Sequence, residues 1–253
     1  AEKLAWPVCA YAMTAEGRSV AATDGYRQGL FTVQSQPAMM AGILSGTGPG
    51  DRILDLCAAP GGKTGHLAEL AACSGVLTAC DVTPERVALL EETLERLGHT
   101  FVKTRVHDAS LPSADFAGFF DRVICDVPCS GLGLLQKRPE IRLRVELESI
   151  NRLKTLQQAI LQSGSLAVAP GGRLLYSTCT LNPEENEEQI LSFLNSKAGE
   201  AFELEDLKED LEAALAGALA PPLSERLPRT VQFLPHRDQT DGFYIARLRR
   251  KPA

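Results

Sequence analysis

Short apolar runs that end on or just before an acid recur along the first half of the chain. Arg52-Ile53-Leu54-Asp55-Leu56, Val76-Leu77-Thr78-Ala79-Cys80-Asp81, Phe101 to Val106 followed by Asp108, and Asp121-Arg122-Val123-Ile124-Cys125-Asp126 have this form. Gly172-Arg173-Leu174-Leu175-Tyr176-Ser177 adds a fifth apolar run. Near-continuous apolar runs of this length predict strands covered on both faces. Between them the period changes. Pro84 to Leu97 carries Val87, Leu90, Leu94 and Leu97 three or four residues apart, with Pro84 in its first turn and Gly98 after its end. That pattern predicts an amphipathic helix. Val145 to Val168 reads as a long helix ended by Pro170-Gly171-Gly172, and Pro183 to Leu194 as a helix whose leading acids suit its N-terminus. The alternation predicts an α/β fold with a doubly wound, mostly parallel sheet, whose ligands bind beyond the carboxyl ends of the strands. The four acids fall at those ends. Later, Val231 to Leu234 and Phe243 to Leu248 read as two strands separated by Pro235, Asp238, Asp241 and Gly242, a C-terminal antiparallel hairpin. Residues 1–45 lack this rhythm and read as an N-terminal appendage or the end of an upstream domain. The main domain is expected at 46–253.

The length of 253 residues suits one large α/β domain with its own core. The chain starts with Ala rather than Met, as expected of a fragment or a processed product. No apolar run approaches the ~18 residues of a membrane span, and the start has no signal-peptide pattern. Seven cysteines (Cys9, Cys57, Cys73, Cys80, Cys125, Cys129, Cys179) are an odd number without a disulfide framework or zinc spacing. They predict reduced thiols in the cytoplasm and no metal.

The net charge of −6 weighs against a nucleic-acid partner until its distribution is considered. Glu184 to Glu212 holds eleven acids and two lysines, a local balance of −9, which leaves +3 for the rest. The acidity is expected on two surface helices. Lys137, Arg138, Arg142, Arg144 and Arg152 form one basic group, and Arg247, Arg249, Arg250 and Lys251 another. The plain reading of each group is a solvated face.

Asp55-Leu56-Cys57-Ala58-Ala59-Pro60-Gly61-Gly62-Lys63-Thr64 joins the first strand to a helix. Its small residues let a ligand approach the backbone, and the helix N-terminus offers N–H groups and a positive dipole end. Cys57 stands where a Walker loop needs Gly, and no G-x-G-x-x-G is present. A lone acid at a strand end is usually a turn or helix cap. Here Asp55, Asp81 and Asp108 end three successive strands beside this loop. Asp81 is placed to accept from ribose hydroxyls and Asp108 from an adenine amino group, which fits an adenosine-containing cofactor along the sheet edge.

Two further loops carry chemistry. Asp126-Val127-Pro128-Cys129-Ser130-Gly131 follows the fourth strand and Ser177-Thr178-Cys179-Thr180 the fifth. A lone cysteine is usually a small buried hydrophobe, the reading given to Cys73 and Cys80. Cys129 and Cys179 differ because both stand where the chain leaves the sheet, and on this ground they have equal claims. A thiolate added to C6 of cytosine makes C5 an enamine carbon able to take a methyl group from a sulfonium. A carboxylic acid at N3 stabilises the charge that builds on the ring, and a base must then remove the C5 proton. An ordinary thiol, with a pKa of ~8.5, needs a nearby positive charge for this; Lys63 or a cationic cofactor would supply it.

DLCAAPGGKT at 55–64, RPEIR at 138–142, DVPCSGLG at 126–133, STCTLNPEENEEQI at 177–190 and DGFYIARL at 241–248 resemble the Nol/Nop/Sun family of RNA cytosine-5 methyltransferases, most closely its bacterial ribosomal RNA members. The resemblance runs from about Gly29 to Leu248. It implies a class I, Rossmann-like S-adenosylmethionine-dependent methyltransferase fold, RNA, ribosomal RNA for its bacterial members, as partner, and a monomer without metal. It implies that Cys57, Ala58, Ala59, Pro60, Gly61, Gly62 and Lys63 wrap S-adenosylmethionine, with Asp81 and Arg86 at the ribose, Asp108 at the adenine and Asp126 also lining the cofactor site. It further implies Cys179 as nucleophile, Cys129 as the cysteine that assists release, Asp126 at cytosine N3 and Lys63 close to it. Residues 1–45 then read as an appendage or remnant of an upstream RNA-binding domain, and 46–253 as the catalytic domain. Val127 stands where many members have Ala, and Ser35 where relatives often have an acid. Three alternatives stand beside this reading: transfer RNA as substrate, a non-catalytic RNA-binding or ribosome-assembly module, and a DNA cytosine-5 methyltransferase with Cys129 as nucleophile. The last expects a Glu-Asn-Val motif, and Glu185-Asn186-Glu187 is not one.

Overall fold

Residues 2–7, 10–12, 17, 19–218 and 220–252 are described by the computed structural model; Cys9 lies outside them. The apolar runs assemble into one eight-stranded sheet. Its strands are β1 (Arg52–Asp55), β2 (Val76–Asp81), β3 (Lys103–Val106), β4 (Phe120–Asp126), β5 (Val168–Thr178), β6 (Phe202–Leu204), β7 (Val231–Phe233) and β8 (Phe243–Arg250). They lie in the order β3-β2-β1-β4-β5-β8-β6, with β7 also paired to β8. Strands β1 to β5 pair in parallel. Strand β8 runs antiparallel to β5, β6 and β7. The strand order reverses between β1 and β4, which opens a crevice at the carboxyl ends of the parallel strands.

Six helices cover the sheet: α1 (Gln36–Leu44), α2 (Gly62–Leu70), α3 (Pro84–Arg96), α4 (Leu147–Ala167), α5 (Glu187–Leu194) and α6 (Lys208–Leu215). Alternate residues along each strand divide between two cores, as the period of a strand requires. Ile53, Leu77, Ala79, Ile124, Leu175 and Ile245 pack beneath α1, α2, α3 and α6. Leu54, Cys80, Val123, Cys125, Leu174 and Tyr176 pack beneath α4 and α5. The stretch before residue 46 takes part in the first core: Met40 and Leu44 are fully buried, and Trp6 stacks on Phe233 at 5.4 Å between centroids. Among the described residues no helix is long and apolar enough to cross a membrane, and no group of His, Cys, Asp and Glu forms a metal site.

Several expectations need correction. The third strand begins at Lys103, not Phe101, and is an edge strand that exposes Lys103, Arg105 and Val106 rather than one covered on both faces. Pro183 to Leu194 is broken: a short turn at Pro183–Glu185 and helix α5 meet at Asn186, whose φ of −115° and ψ of −102° are not helical. The acidic stretch is not all surface, since Glu185 and Glu187 are buried. Arg247 is no solvated cation either; it is buried, with Glu205 at 2.6 Å and Asp210 at 2.7 Å. Cys73 is exposed, because it follows helix α2 with a φ of +50° that turns the chain outward. The C-terminal antiparallel hairpin is as expected, with a short helix, Pro235–Asp238, between β7 and β8.

Candidate active site

The loop after β1 is shaped by its own backbone and by β2. Ala58 N–H donates to the Cys80 carbonyl at 2.9 Å and Gly61 N–H to the Ala58 carbonyl at 2.8 Å. Gly61 has φ +107°, and a Cβ there would press on Leu90 and Thr93 at 3.1 Å; only glycine turns this corner without strain. The chain then enters α2 at Gly62. Nothing stands within 4 Å of the position a Gly62 Cβ would take, so the helix entrance is open where a ligand would lie. Thr64 Oγ1 donates to Asp55 Oδ2 at 2.8 Å. Asp55 Oδ1 is buried without a hydrogen-bond partner. Burial is the main cause that pushes the Asp55 carboxyl up to about 7, against the Thr64 hydrogen bond. Cys57 is held well above an ordinary thiol by burial, which leaves it protonated and unreactive.

Asp81 closes the other side of the loop. Its Oδ2 accepts from Ala59 N–H at 2.8 Å and from Arg86 Nη2 at 3.2 Å. Its Oδ1 accepts from Val82 N–H at 2.8 Å and Arg86 Nε at 2.5 Å. Both oxygens are therefore engaged, although the guanidinium is half exposed. Asp108 lies two residues beyond β3, exposed, and accepts from Ser110 N–H at 2.9 Å and Ser110 Oγ at 2.6 Å. In this arrangement it caps a turn. An adenosyl group fits the site: an open helix N-terminus, an unpartnered buried carboxyl oxygen and two acids, one half-shielded by a movable arginine, lie along the same strand ends.

The second half of the site sits at the ends of β4 and β5. Asp126 ends β4, and Lys63, one residue into α2, reaches across to it with Nζ 2.7 Å from Oδ2. Ser177 Oγ donates to Asp126 Oδ1 at 2.6 Å. Burial works against the Lys63 ammonium, but the Asp126 charge and hydrogen bond outweigh it and hold its pKa above the ordinary lysine value. Cys129 and Cys179 meet, Sγ to Sγ, at 3.3 Å. The Cys129 hydrogen bond lowers the Cys179 pKa in spite of burial and Asp126, and Lys63 adds to the lowering. Cys129, as donor in that bond and buried, is raised well above an ordinary thiol. The pair is thus electrostatically unequal, with Cys179 lowered and Cys129 raised from the ordinary thiol value.

Three residues that sequence reasoning missed hold this pair. Glu185 is fully buried and links both cysteine loops to α4. Ser130 donates to it through N–H at 2.9 Å and Oγ at 2.5 Å, Gln157 Nε2 at 3.0 Å and Asn182 Nδ2 at 3.2 Å. Asn186 accepts from Thr178 Oγ1 at 2.5 Å and donates to the Thr180 carbonyl at 3.1 Å, bracketing Cys179. Gly133 binds the Cys179 carbonyl through its N–H at 3.0 Å, and its own carbonyl accepts from Gly242 N–H at 2.9 Å. Within an acidic run, nothing about Glu185 marks it as internal. Its one sequence signal is its position six residues after Cys179.

The strand order, the small-residue turn into α2 and the acids at successive strand ends define a class I S-adenosylmethionine-dependent methyltransferase. The comparisons narrow the class: the 16S rRNA methyltransferase RsmB/F profile matches residues 43–249, and the chain belongs to that family. It is 38% identical over 230 residues to a probable ribosomal RNA small subunit methyltransferase B of Synechocystis, covering 89% of this chain and 49% of that protein. It is 33% identical over 243 residues to the probable ribosomal RNA small subunit methyltransferase B of Bacillus subtilis, covering 92% and 51% respectively. The chain thus spans about half the length of these relatives. The structure of NSun6 from Pyrococcus horikoshii with SFG superposes with a TM-score of 0.79 at 29% identity, over 93% of this chain and 57% of that one.

Proposed function

We propose that this chain transfers a methyl group from S-adenosylmethionine to C5 of a cytosine in RNA, through a covalent bond between Cys179 Sγ and C6 of the base. The observation that carries this is the unequal cysteine pair, 3.3 Å apart, beside a Lys63–Asp126 pair at 2.7 Å. Non-catalytic scaffolds have no need of a buried thiolate with its own donor and cation. The cofactor, when bound, supplies the methyl group on a positively charged sulfur. Cys57 to Lys63 would wrap it, Asp81 and Arg86 would hold its ribose and Asp108 its adenine amino group.

On the RNA side, Cys179 adds to C6 as thiolate, and the electron pair moves into the ring toward N3. Asp126, held by Lys63 and Ser177, would meet N3 as a carboxylic acid, the proton of the Lys63–Asp126 pair being shared with the nitrogen as negative charge builds there. After C5 has been methylated, its proton passes to a water molecule, the C–H electron pair reforms the C5–C6 double bond, and the Cys179–C6 bond breaks with its electrons returning to Sγ. Cys129, held as the protonated partner, assists that departure. Small-subunit ribosomal RNA is the substrate that the relatives' names suggest, which puts the reaction in the cytoplasm.

Two variants test the assignment. With Cys179→Ala, neither methylated RNA nor an adduct on a denaturing gel is expected. With Cys129→Ala, the adduct accumulates. The reverse pattern would overturn the roles. Calorimetric titration with S-adenosylmethionine tests the enzyme against a non-catalytic module, which predicts no heat of binding.

A further inference from the structure

A cavity of about 160 Å³ lies beside the nucleophile loop and takes no part in the site described above. Leu181, Pro183, Leu223 and Leu234 form its apolar walls, Glu187 and Ser224 line it, and Arg226 and Arg237 stand at it from the outer side. Its position follows from the sheet. Thr178 pairs with Tyr244, and Tyr244 pairs with Gln232, so Gln232, which also lines the cavity, sits two strands from the residue before Cys179. Two strand spacings are about 10 Å. Leu181 follows Cys179 by two residues and Leu234 follows the end of β7, so the cavity meets the sheet edge that carries Asp126 and Cys179. Along that edge the order is cofactor loop, Asp126, cysteine pair, cavity.

We infer that this cavity receives the base of the nucleotide next to the target cytosine. The inference rests on the RNA reading above and adds a second base-binding position to it. Four observations point to a base. The cavity follows the Cys179 loop along the same sheet edge, within about two strand spacings, ~10 Å, and proteins read RNA sequence from bases splayed out of the stack. The volume holds one planar ring system and excludes a folded nucleotide. The walls are aliphatic on several sides, which suits the faces of a ring. Glu187 is only 4% exposed, and one carboxyl oxygen accepts from Ser224 Oγ at 2.5 Å. A carboxylate fixed in this way selects a base edge that presents an amino group, so adenine, cytosine or guanine enters in preference to uracil. Arg226 is exposed at the cavity, beside Glu225. Arg237 is bound to Asp238 at 2.9 Å and serves as a fixed wall.

The test uses a small-subunit ribosomal RNA transcript to map the methylated cytosine. Short strands around it are then made with an abasic site on either the 5′ or the 3′ side. The expected result is a loss of at least tenfold in kcat/KM at one of the two neighbours and little change at the other. In Leu223→Trp, which fills the cavity, intact RNA loses a similar factor while the abasic strand loses nothing further. Glu187→Gln keeps the Ser224 contact and narrows the preference for an amino-bearing base over uracil. If intact and abasic strands react equally on both sides, the cavity has no such role, although methyl transfer stands. If no RNA accepts a methyl group, the RNA reading itself fails and the cavity proposal with it.

Discussion

Replacing Glu185 by Ala removes the one group that touches both cysteine loops and α4. Its carboxylate is fully buried. It accepts from Ser130 N–H at 2.9 Å, Ser130 Oγ at 2.5 Å, Gln157 Nε2 at 3.0 Å and Asn182 Nδ2 at 3.2 Å. Ser130 Oγ has a second partner in Thr180 Oγ1, and Gln157 Nε2 one in the Pro128 carbonyl. The Ser130 N–H and the Asn182 amide have no such replacement among the described contacts. Each of these two buried donors left unpaired costs about 1–3 kcal/mol, so together roughly 2–6 kcal/mol. For a domain of this size, each kcal/mol lowers Tm by about 2–4 °C, so the variant should melt roughly 10 °C below the parent. Glu185→Gln keeps the shape and turns one acceptor into a donor, for a loss of about 1–3 kcal/mol. Calorimetric melting and urea unfolding measure both. The rate of adduct formation in the folded variant should also fall, because the Cys179 loop is no longer fastened through Asn182 and Thr180. An Ala variant that melts within ~2 °C of the parent and traps RNA normally would refute the claim that Glu185 ties the two loops.

Alkylation of Cys179 should rise with pH through a midpoint below that of an ordinary thiol. The depressed group is a thiolate above its folded-state pKa, and reactivity is lost as pH falls through it. Lys63→Met and Cys129→Ala should each move that midpoint upward, as read by iodoacetamide kinetics with mass spectrometry. Asp55, raised to about 7 by burial, favours the folded state when protonated. Stability should therefore fall as pH rises from about 4, its unfolded value, to about 7. Asp55→Asn should abolish that slope and be the more stable protein at pH 8, by at most ~4 kcal/mol, in urea titrations across that range. Gly133→Ala should be destabilised by several kcal/mol and inactive, because its Cβ would stand 2.2 Å from the Gly242 carbonyl oxygen and 2.7 Å from that of Cys179; melting and adduct assays check both.

Much of this was legible because period and strand ends obey backbone geometry. Ile53-Leu54 and Val123-Ile124 alternate between two cores because both faces of the sheet are covered, and the runs in the sequence say so. Asp55, Asp81 and Asp126 stood at strand ends for the same reason. The two cysteines are indistinguishable by spacing, and three-dimensional contact sets them apart: Lys63 bears on Cys179, whose pKa is lowered, while that of Cys129 is raised. Glu185, Glu187 and Arg247 were misjudged because sequence charge says nothing about a buried partner. Arg247 finds Glu205 from 42 positions away. Asn186 broke a helix that its neighbours favour because its side chain fastens the Cys179 loop. Local propensity yields to such contacts.

Strand β8 lies inside the sheet, between β5 and β6, although it comes late in the chain. Its Tyr244 pairs with Thr178, and Gly242 fastens the Cys129 loop through Gly133. Such pairings close a long stretch of chain and so form slowly. During synthesis, the strands before Cys179 emerge with one edge of β5 still unpaired, and the nucleophile loop lacks its support until the Phe243–Arg250 segment has been translated. Completion of the candidate site is thereby tied to completion of the sheet.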